Sequence, residues 1–343
     1  MVDINQHSRC LIVAPSWVGD MVMAQSLFID LKKQNENLLI DVLAPAWCSA
    51  LTQHMPEVNQ LIESPFTHGA LNWFARKKLA KQIQQHQYDI AFVLPNSLKS
   101  ALVPWMAKIP IRVGFIGEQR FGLLNYRYKL DKVRLPKMIQ RFVALARPVD
   151  QPPKDDVFLP KLEMISVDQV KILKEFDLID EKPILALCPG AEFGKSKQWP
   201  AEHYAAVARF YLDRDWQVWL FGSENDFDIC QEINVSAASK CVNLAGKTKL
   251  SDAIILMSMS GLVVSNDSGL MHVAAALHKP LVAVYGSTDP GFTPPLNEQA
   301  RVERLSLDCS PCFKRECPLQ HLNCLVELKP NQVLSTTEAI LAS

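Results

Sequence analysis

The sequence predicts an α/β protein built as two parallel-sheet domains, on three observations. Short apolar runs end at glycine-containing polar turns and lead into apolar residues at helical spacing, first after Cys10–Pro15 and again after Leu262–Ser265. Strand-like and helix-like stretches alternate along each half, the order of a parallel sheet covered by helices. A polar, proline-rich stretch, Arg147-Pro-Val-Asp-Gln-Pro-Pro-Lys154, separates the halves. With 343 residues, 48% of them hydrophobic, the chain can fill two cores of ordinary size.

In the first half, the Cys10–Pro15 strand turns through Ser16-Trp-Val-Gly-Asp20 into a helix whose apolar face includes Met21, Ala24, Leu27, Phe28 and Leu31. A strand over Leu38–Leu43 stops at Ala44-Pro45, and one over Tyr88–Leu94 stops at Pro95-Asn96-Ser97. Parallel sheets meet their ligands at the carboxyl ends of the strands, which is where Asp20 and Asn96 are placed. In the second half, Pro183–Cys188 is a strand, and a loop from Pro189 to Pro200 leads to a helix over Ala201–Leu212. Trp216–Phe221 is the next strand and ends at Gly222-Ser-Glu-Asn-Asp226; Lys249–Met259, the strand opening at Leu262, and Pro280–Tyr285 complete the series. The expected domains are 1–150 and 151–330, with 331–343 a C-terminal helix packing back toward the first domain.

The turn Asn266-Asp267-Ser268-Gly269 precedes apolar residues at Leu270, Val273, Ala274 and Leu277, so it opens a helix. Unpaired N–H groups and the helix dipole suit that spot to a phosphate or to sugar oxygens. Asp267 and His272 sit beside it, His272 off the apolar stripe; equally, Asp267 or Ser268 could simply cap the helix, with His272 a solvated surface residue.

Other classes recede. Neither half carries Gly-x-Gly-x-x-Gly, and no Gly-x-x-x-x-Gly-Lys-Ser/Thr occurs, which weakens nicotinamide and P-loop readings. The 36 basic and 36 acidic residues balance. No apolar run is long enough to span a bilayer and no leader opens the chain, so a cytoplasmic protein is expected. The cysteine count, nine, is odd, unlike a secreted disulfide framework. Charge is nevertheless uneven: between Lys99 and Arg147 eleven basic residues stand against two acids, Glu118 and Asp131, a field suited to an anionic partner. No nucleic-acid module accompanies it, so nucleic acid is not the expected partner.

Four stretches, in order over nearly the whole chain, carry a family resemblance. They are Pro15-Ser-Trp-Val-Gly-Asp-Met-Val-Met-Ala24; Ile111-Arg-Val-Gly-Phe115 with Arg120-Phe-Gly-Leu-Leu-Asn125; Cys188-Pro-Gly-Ala-Glu-Phe-Gly194 through Lys197-Gln-Trp-Pro200; and Ser265-Asn-Asp-Ser-Gly-Leu-Met-His272. On these the sequence resembles the ADP-heptose:lipopolysaccharide heptosyltransferases of glycosyltransferase family 9. The resemblance implies a GT-B fold, two Rossmann-like domains facing a central cleft, with acceptor on the first and nucleotide sugar on the second. It implies inverting transfer of heptose from ADP-heptose onto the inner core of Gram-negative lipopolysaccharide, here onto the first heptose of a heptosyl-Kdo-lipid A acceptor. The enzyme would then work peripherally at the cytoplasmic face of the inner membrane.

An inverting transfer needs a base for the acceptor hydroxyl and a cation for the departing diphosphate. By the resemblance, Asp20 is the base, although a first-turn carboxylate is equally what a helix dipole favours. Lys197, before Trp-Pro, meets the diphosphate, with Lys195 as runner-up. Gly190 and Ala191 allow close backbone approach to the donor, and Asp267, Ser268, Gly269 and His272 match the donor motif. Glu224 or Asp226 would take the adenosine ribose, and Asn96, Arg120 and Arg127 are assigned to the acceptor. No catalytic cofactor is expected, and activity should survive EDTA. Cys309, Cys312, Cys317 and Cys324 have the density of a structural zinc site, though not the spacing of paired Cys-x-x-Cys motifs. The alternatives are first-heptose transfer onto Kdo, a nucleotide-sugar epimerase of the same architecture, and a binding protein without catalysis.

Overall fold

The computed structural model describes residues 3–66, 71–148, 151–153, 156–164 and 169–342. Two compact units divide after Pro160 rather than after residue 150. The start of the expected linker belongs to the first unit because Arg147 is held there, by Asp30 at 2.7 Å and Asp156 at 2.7 Å. Residues 149, 150 and 154 of that stretch lie outside the described residues.

The first unit holds strands β1 (Arg9–Val13), β2 (Leu39–Ala44), β3 (Val58–Glu63), β4 (Ile90–Val93), β5 (Ile111–Phe115) and β6 (Tyr126–Tyr128). Its helices are α1 (Val18–Gln34), α2 (Ser49–Thr52), α3 (Trp73–Gln84), α4 (Leu98–Met106) and α5 (Met138–Ala144). The parallel sheet has the order β3-β2-β1-β4-β5-β6, so the chain winds outward from β1, returns to lay β4 beside it, and winds outward the other way. Register runs from Cys10 opposite Ile90 to Val13 opposite Val93. Between β1 and β4 the winding reverses, and in sheets of this kind ligands bind at the carboxyl end of that reversal. Helix α1 buries Met21, Ala24, Leu27, Phe28 and Leu31, the expected face, and also Val22 and Met23, because it packs on α5 as well as on the sheet.

The second unit repeats the plan. Its strands are β7 (Ile184–Cys188), β8 (Gln217–Leu220), β9 (Val242–Asn243), β10 (Leu262–Asn266), β11 (Leu281–Val284) and β12 (Ala300–Glu303). Its helices are α6 (Gln169–Glu175), α7 (Ala201–Leu212), α8 (Phe227–Ser236), α9 (Leu250–Ser258), α10 (Gly269–Ala276), α11 (Asn323–Val326) and α12 (Pro330–Leu341). The order β12-β11-β10-β7-β8-β9 places the reversal between β7 and β10, paired from Leu185 opposite Leu262 to Cys188 opposite Ser265. Every residue of β7, β10 and β11 is buried, the continuous apolar pattern of strands covered on both faces. Helix α7 spans the predicted residues and buries Tyr204, Val207, Ala208 and Tyr211 in a core shared with Trp199.

Helix α12 packs on α7, β11 and β12, and its apolar residues Val333 and Ile340 are buried in the core of the second unit. Among the described residues no helix is long and apolar enough to cross a membrane.

Candidate functional site

The polar side chains of the second unit gather at the carboxyl ends of β7 and β10. Asn266, the last residue of β10, is fully buried. Its amide donates to the Pro189 carbonyl at 2.6 Å, and its Oδ1 accepts from the Trp199 amide at 3.0 Å and the Tyr204 hydroxyl at 3.0 Å. One side chain therefore ties the loop after β7 and the first turn of α7 to the turn into α10. Sequence reading passed over Asn266 because nothing in its neighbourhood along the chain shows those distant partners.

Asp267 follows and is buried, its backbone N–H donating to the Val284 carbonyl at 3.1 Å. Its Oδ2 accepts from Lys197 Nζ at 2.7 Å and from Thr288 Oγ1 at 2.5 Å. Lys197 lies on the short 3-10 turn Lys195–Lys197, and its ammonium also stands 5.1 Å from the centre of the Phe193 ring. Lys195, on the same turn, is exposed. Ser196 between them is buried, its hydroxyl 3.0 Å from that of Ser287. One oxygen of Asp267, expected as part of the donor motif, anchors the lysine and so aims a cation.

Ser268 caps α10, accepting from the Met271 amide at 3.4 Å, and Gly269 opens the helix. His272 is buried, contrary to the surface position that its place off the apolar stripe suggested. Burial pushes its pKa down to about 4, opposed by Asp267 and reinforced by Lys197. A neutral imidazole results at ordinary pH, offering a hydrogen bond and no charge.

Glu224 and Asp226 separate. The Asp226 carboxylate accepts from the backbone and hydroxyl of Ser223 at 2.8 and 2.7 Å, and lies so close to Gly190 that a Cβ there would fall 2.4 Å from its carboxyl carbon. Glu224 stands exposed beside it at the end of β8. The glycine at 190 thus makes room for Asp226, and the half-exposed Ala191 follows in the same loop.

In the first unit, Asp20 occupies the first turn of α1 after β1, and Asn96 stands exposed after β4, on the two sides of the reversal. Arg120 does not face outward. It is 2% exposed, and its guanidinium donates to the carbonyls of Pro95 at 2.6 Å and Phe115, with Ser97, Ser100 and Asn96 farther off. Carbonyls crowd the carboxyl ends of β4 and β5, and the buried cation ties the two loops together. Other members of the basic stretch are likewise engaged: Arg112 with the carbonyls of Leu123 and Ile109, Arg141 with that of Leu135. Arg127 is exposed, 5.3 Å from the Phe121 ring. A cavity of about 390 Å³ opens beside Tyr88 and Ile109, before β4 and β5 begin and so at the other end of the sheet from these side chains.

The model of glycosyltransferase family 9 (heptosyltransferase) matches residues 76–323. The chain is 44% identical to lipopolysaccharide heptosyltransferase 2 of Escherichia coli, over 97% of this chain and 98% of that protein. It is 47% identical to lipooligosaccharide heptosyltransferase 2 of Haemophilus influenzae, over 86% and 88%. Its fold superposes on the solved structure of the E. coli ADP-heptose lipopolysaccharide heptosyltransferase II with a TM-score of 0.87, at 42% identity, covering 97% of this chain and 98% of the other.

Proposed function

The chain belongs to glycosyltransferase family 9, the heptosyltransferases, and from that membership we propose that it transfers heptose from ADP-heptose onto the first heptose of the lipopolysaccharide inner core. The near full-length likeness to proteins named heptosyltransferase 2 carries this choice over first-heptose transfer, epimerisation or mere binding.

Asp20 takes the proton of the acceptor hydroxyl as its oxygen attacks the anomeric carbon from the face opposite the diphosphate. The bond from that carbon to the diphosphate breaks, and ADP leaves with the electron pair. Lys197, held ready by Asp267 and Thr288, meets the charge that develops on the departing oxygens, and the first amides of α10 add their dipole. A site already oriented in this way need not reorganise as charge develops. Lys195 and the backbone at Gly190 and Ala191 complete the donor side, with Glu224 on the ribose. The neutral His272 donates a hydrogen bond to a phosphate or sugar oxygen. No cofactor enters any of these steps.

On the acceptor side, Asn96 and Arg127 approach the core sugars, while Arg120 shapes the loops that carry them. Phe121 and Val133 stand exposed among Arg127, Lys129, Lys132 and Arg134, which supports peripheral contact with an anionic membrane surface. The deciding experiment is mass spectrometry of heptosyl-Kdo2-lipid A incubated with ADP-heptose and either the wild type or Asp20→Asn. A gain of one heptose that needs the carboxylate is expected; no gain, with ADP-heptose still bound, overturns the assignment.

A further inference from the structure

Residues 304–322 run from the end of β12 to the start of α11 without strand or helix. A loop of that length is uncommon inside a domain unless something holds it. Apolar packing holds only its start, where Leu305 and Leu307 meet the core of the second unit; farther on, Phe313 and Leu319 are 51% and 57% exposed. Cysteines are what the loop turns inward. Cys309, Cys312 and Cys317, joined by Cys324 from α11, line one cavity of about 20 Å³, the size for a single ion or water. All four are free thiols.

The Cys317 sulfur is met by the backbone N–H groups of Leu322, Leu319, His321 and Gln320. Cys309, Cys312 and Cys317 all lie close enough to Cys324 to interact with it electrostatically. Among the described residues no group of three such donors is already set around a common point as metal ligands are. Closing on an ion therefore takes rotation of the cysteine side chains.

The loop is stitched to both sides of the Lys197–Asp267–Thr288 constellation. The Ser196 amide donates to the Arg315 carbonyl at 3.2 Å, and the Ser196 hydroxyl donates to that of Lys314. Phe313 N–H donates to the Ser287 carbonyl at 2.7 Å, and Ser310 Oγ to that of Gly286 at 2.7 Å. A Cβ on Gly194 would lie 2.4 Å from the Arg315 carbonyl oxygen, so the loop abuts the turn directly.

We propose that Cys309, Cys312, Cys317 and Cys324 bind one thiophilic divalent cation of the zinc class in a closed tetrahedral site, which holds the loop against the turn presenting Lys197. Each thiol releases its proton on ligation. The resulting negative centre lies in a loop that carries Lys314 and Arg315 between its ligands. A site with four protein ligands leaves no open position for substrate, so the metal is structural. Metal binding stands apart from the transferase assignment; only its consequence for Lys197 rests on that assignment.

The test is elemental analysis of full-length protein purified without added metal, alongside Cys312→Ser, Cys317→Ser and, as control, Cys48→Ser. Wild type and Cys48→Ser should carry about one metal ion per chain, and the other two variants should lose it. Cobalt(II) added to chelated wild type should give thiolate-to-metal charge-transfer absorption, a readout that survives if a serine variant fails to fold. Stripping the ion with a chelator stronger than EDTA, which a closed four-thiolate site should resist, should lower kcat about 100-fold with acceptor KM unchanged, and zinc should restore it. A metal-free wild type with no cobalt band, or a non-reducing peptide map pairing these cysteines as disulfides, overturns the site. Metal-replete protein that transfers no heptose would instead sink the transferase reading and leave the site intact.

Discussion

Lys197 Nζ and Asp267 Oδ2 stand 2.7 Å apart, and both side chains are largely withdrawn from water, 15% and 5% exposed. A buried pair of this kind costs desolvation to form and costs more to break on one side. Lys197→Met should therefore lower stability by about 3 kcal/mol, because Asp267 is left charged and unpaired. The double variant Lys197→Met/Asp267→Asn should recover most of that loss in urea unfolding while remaining inactive. Asp267→Asn alone should also lower Tm, though by less because Lys197 at 15% exposure can turn toward water, and should lose roughly 100-fold in kcat, as the ammonium is no longer aimed. Recovery of kcat in the double variant would show that the pair serves the fold only.

His272 makes stability depend on pH in a defined direction. Its folded pKa of about 4 lies below the ordinary 6.5, so between these values the unfolded chain binds the proton and the folded one does not. Stability then falls as pH drops from about 6.5 toward 4, by at most roughly 1.4 kcal/mol per unit from this group. His272→Gln should flatten that part of the urea-midpoint profile. An unaltered profile between pH 7.5 and 5 would assign the acid sensitivity elsewhere.

Arg120 and Arg127 should respond oppositely to substitution. Arg120→Met strips five backbone and side-chain acceptors of a buried donor and should cost about 3 kcal/mol, read as a lowered Tm. Arg127→Glu should leave Tm unchanged and raise acceptor KM several-fold at low salt, an effect that fades as the Debye length shrinks to about 3 Å at 1 M salt. Equal Tm losses in both would contradict the division between brace and surface charge.

The pattern behind these contrasts is visible in which parts of the chain could be read in advance. Strands β1, β7, β10 and β11 and helix α7 were legible because continuous apolar runs and a helical stripe are local properties. Strand β9, with two residues, and β12, reading Ala-Arg-Val-Glu, carry no such run; they exist by pairing with β8 and β11. Asp267 and Lys197 were legible as residues but not as a pair, since 70 positions separate them. Arg120 was read as surface charge because burial leaves no trace in a basic stretch.

Glu224 and Asp226 give the last contrast, between recognising the donor and building the loop that does so. Asp226 has its Oδ2 occupied by Ser223 and its carboxyl wedged against the backbone of Gly190 and Gly222. Asp226→Ala removes the acceptor for two donors and should cost about 1–2 kcal/mol, the range for a lost cap. Gly190→Ala should act through the same carboxylate, displacing it and lowering Tm without any ligand present. Glu224 lies exposed at the same strand end, and only its backbone and Cβ, not its carboxylate, stand against a glycine, Gly246, so Glu224→Gln should spare Tm and raise donor KM by about tenfold, the effect of a lost hydrogen bond to a charged group. Calorimetry of ADP binding to the three variants separates the roles. A normal ADP affinity in Glu224→Gln would move ribose recognition away from this strand end, since Asp226 is already committed to the turn.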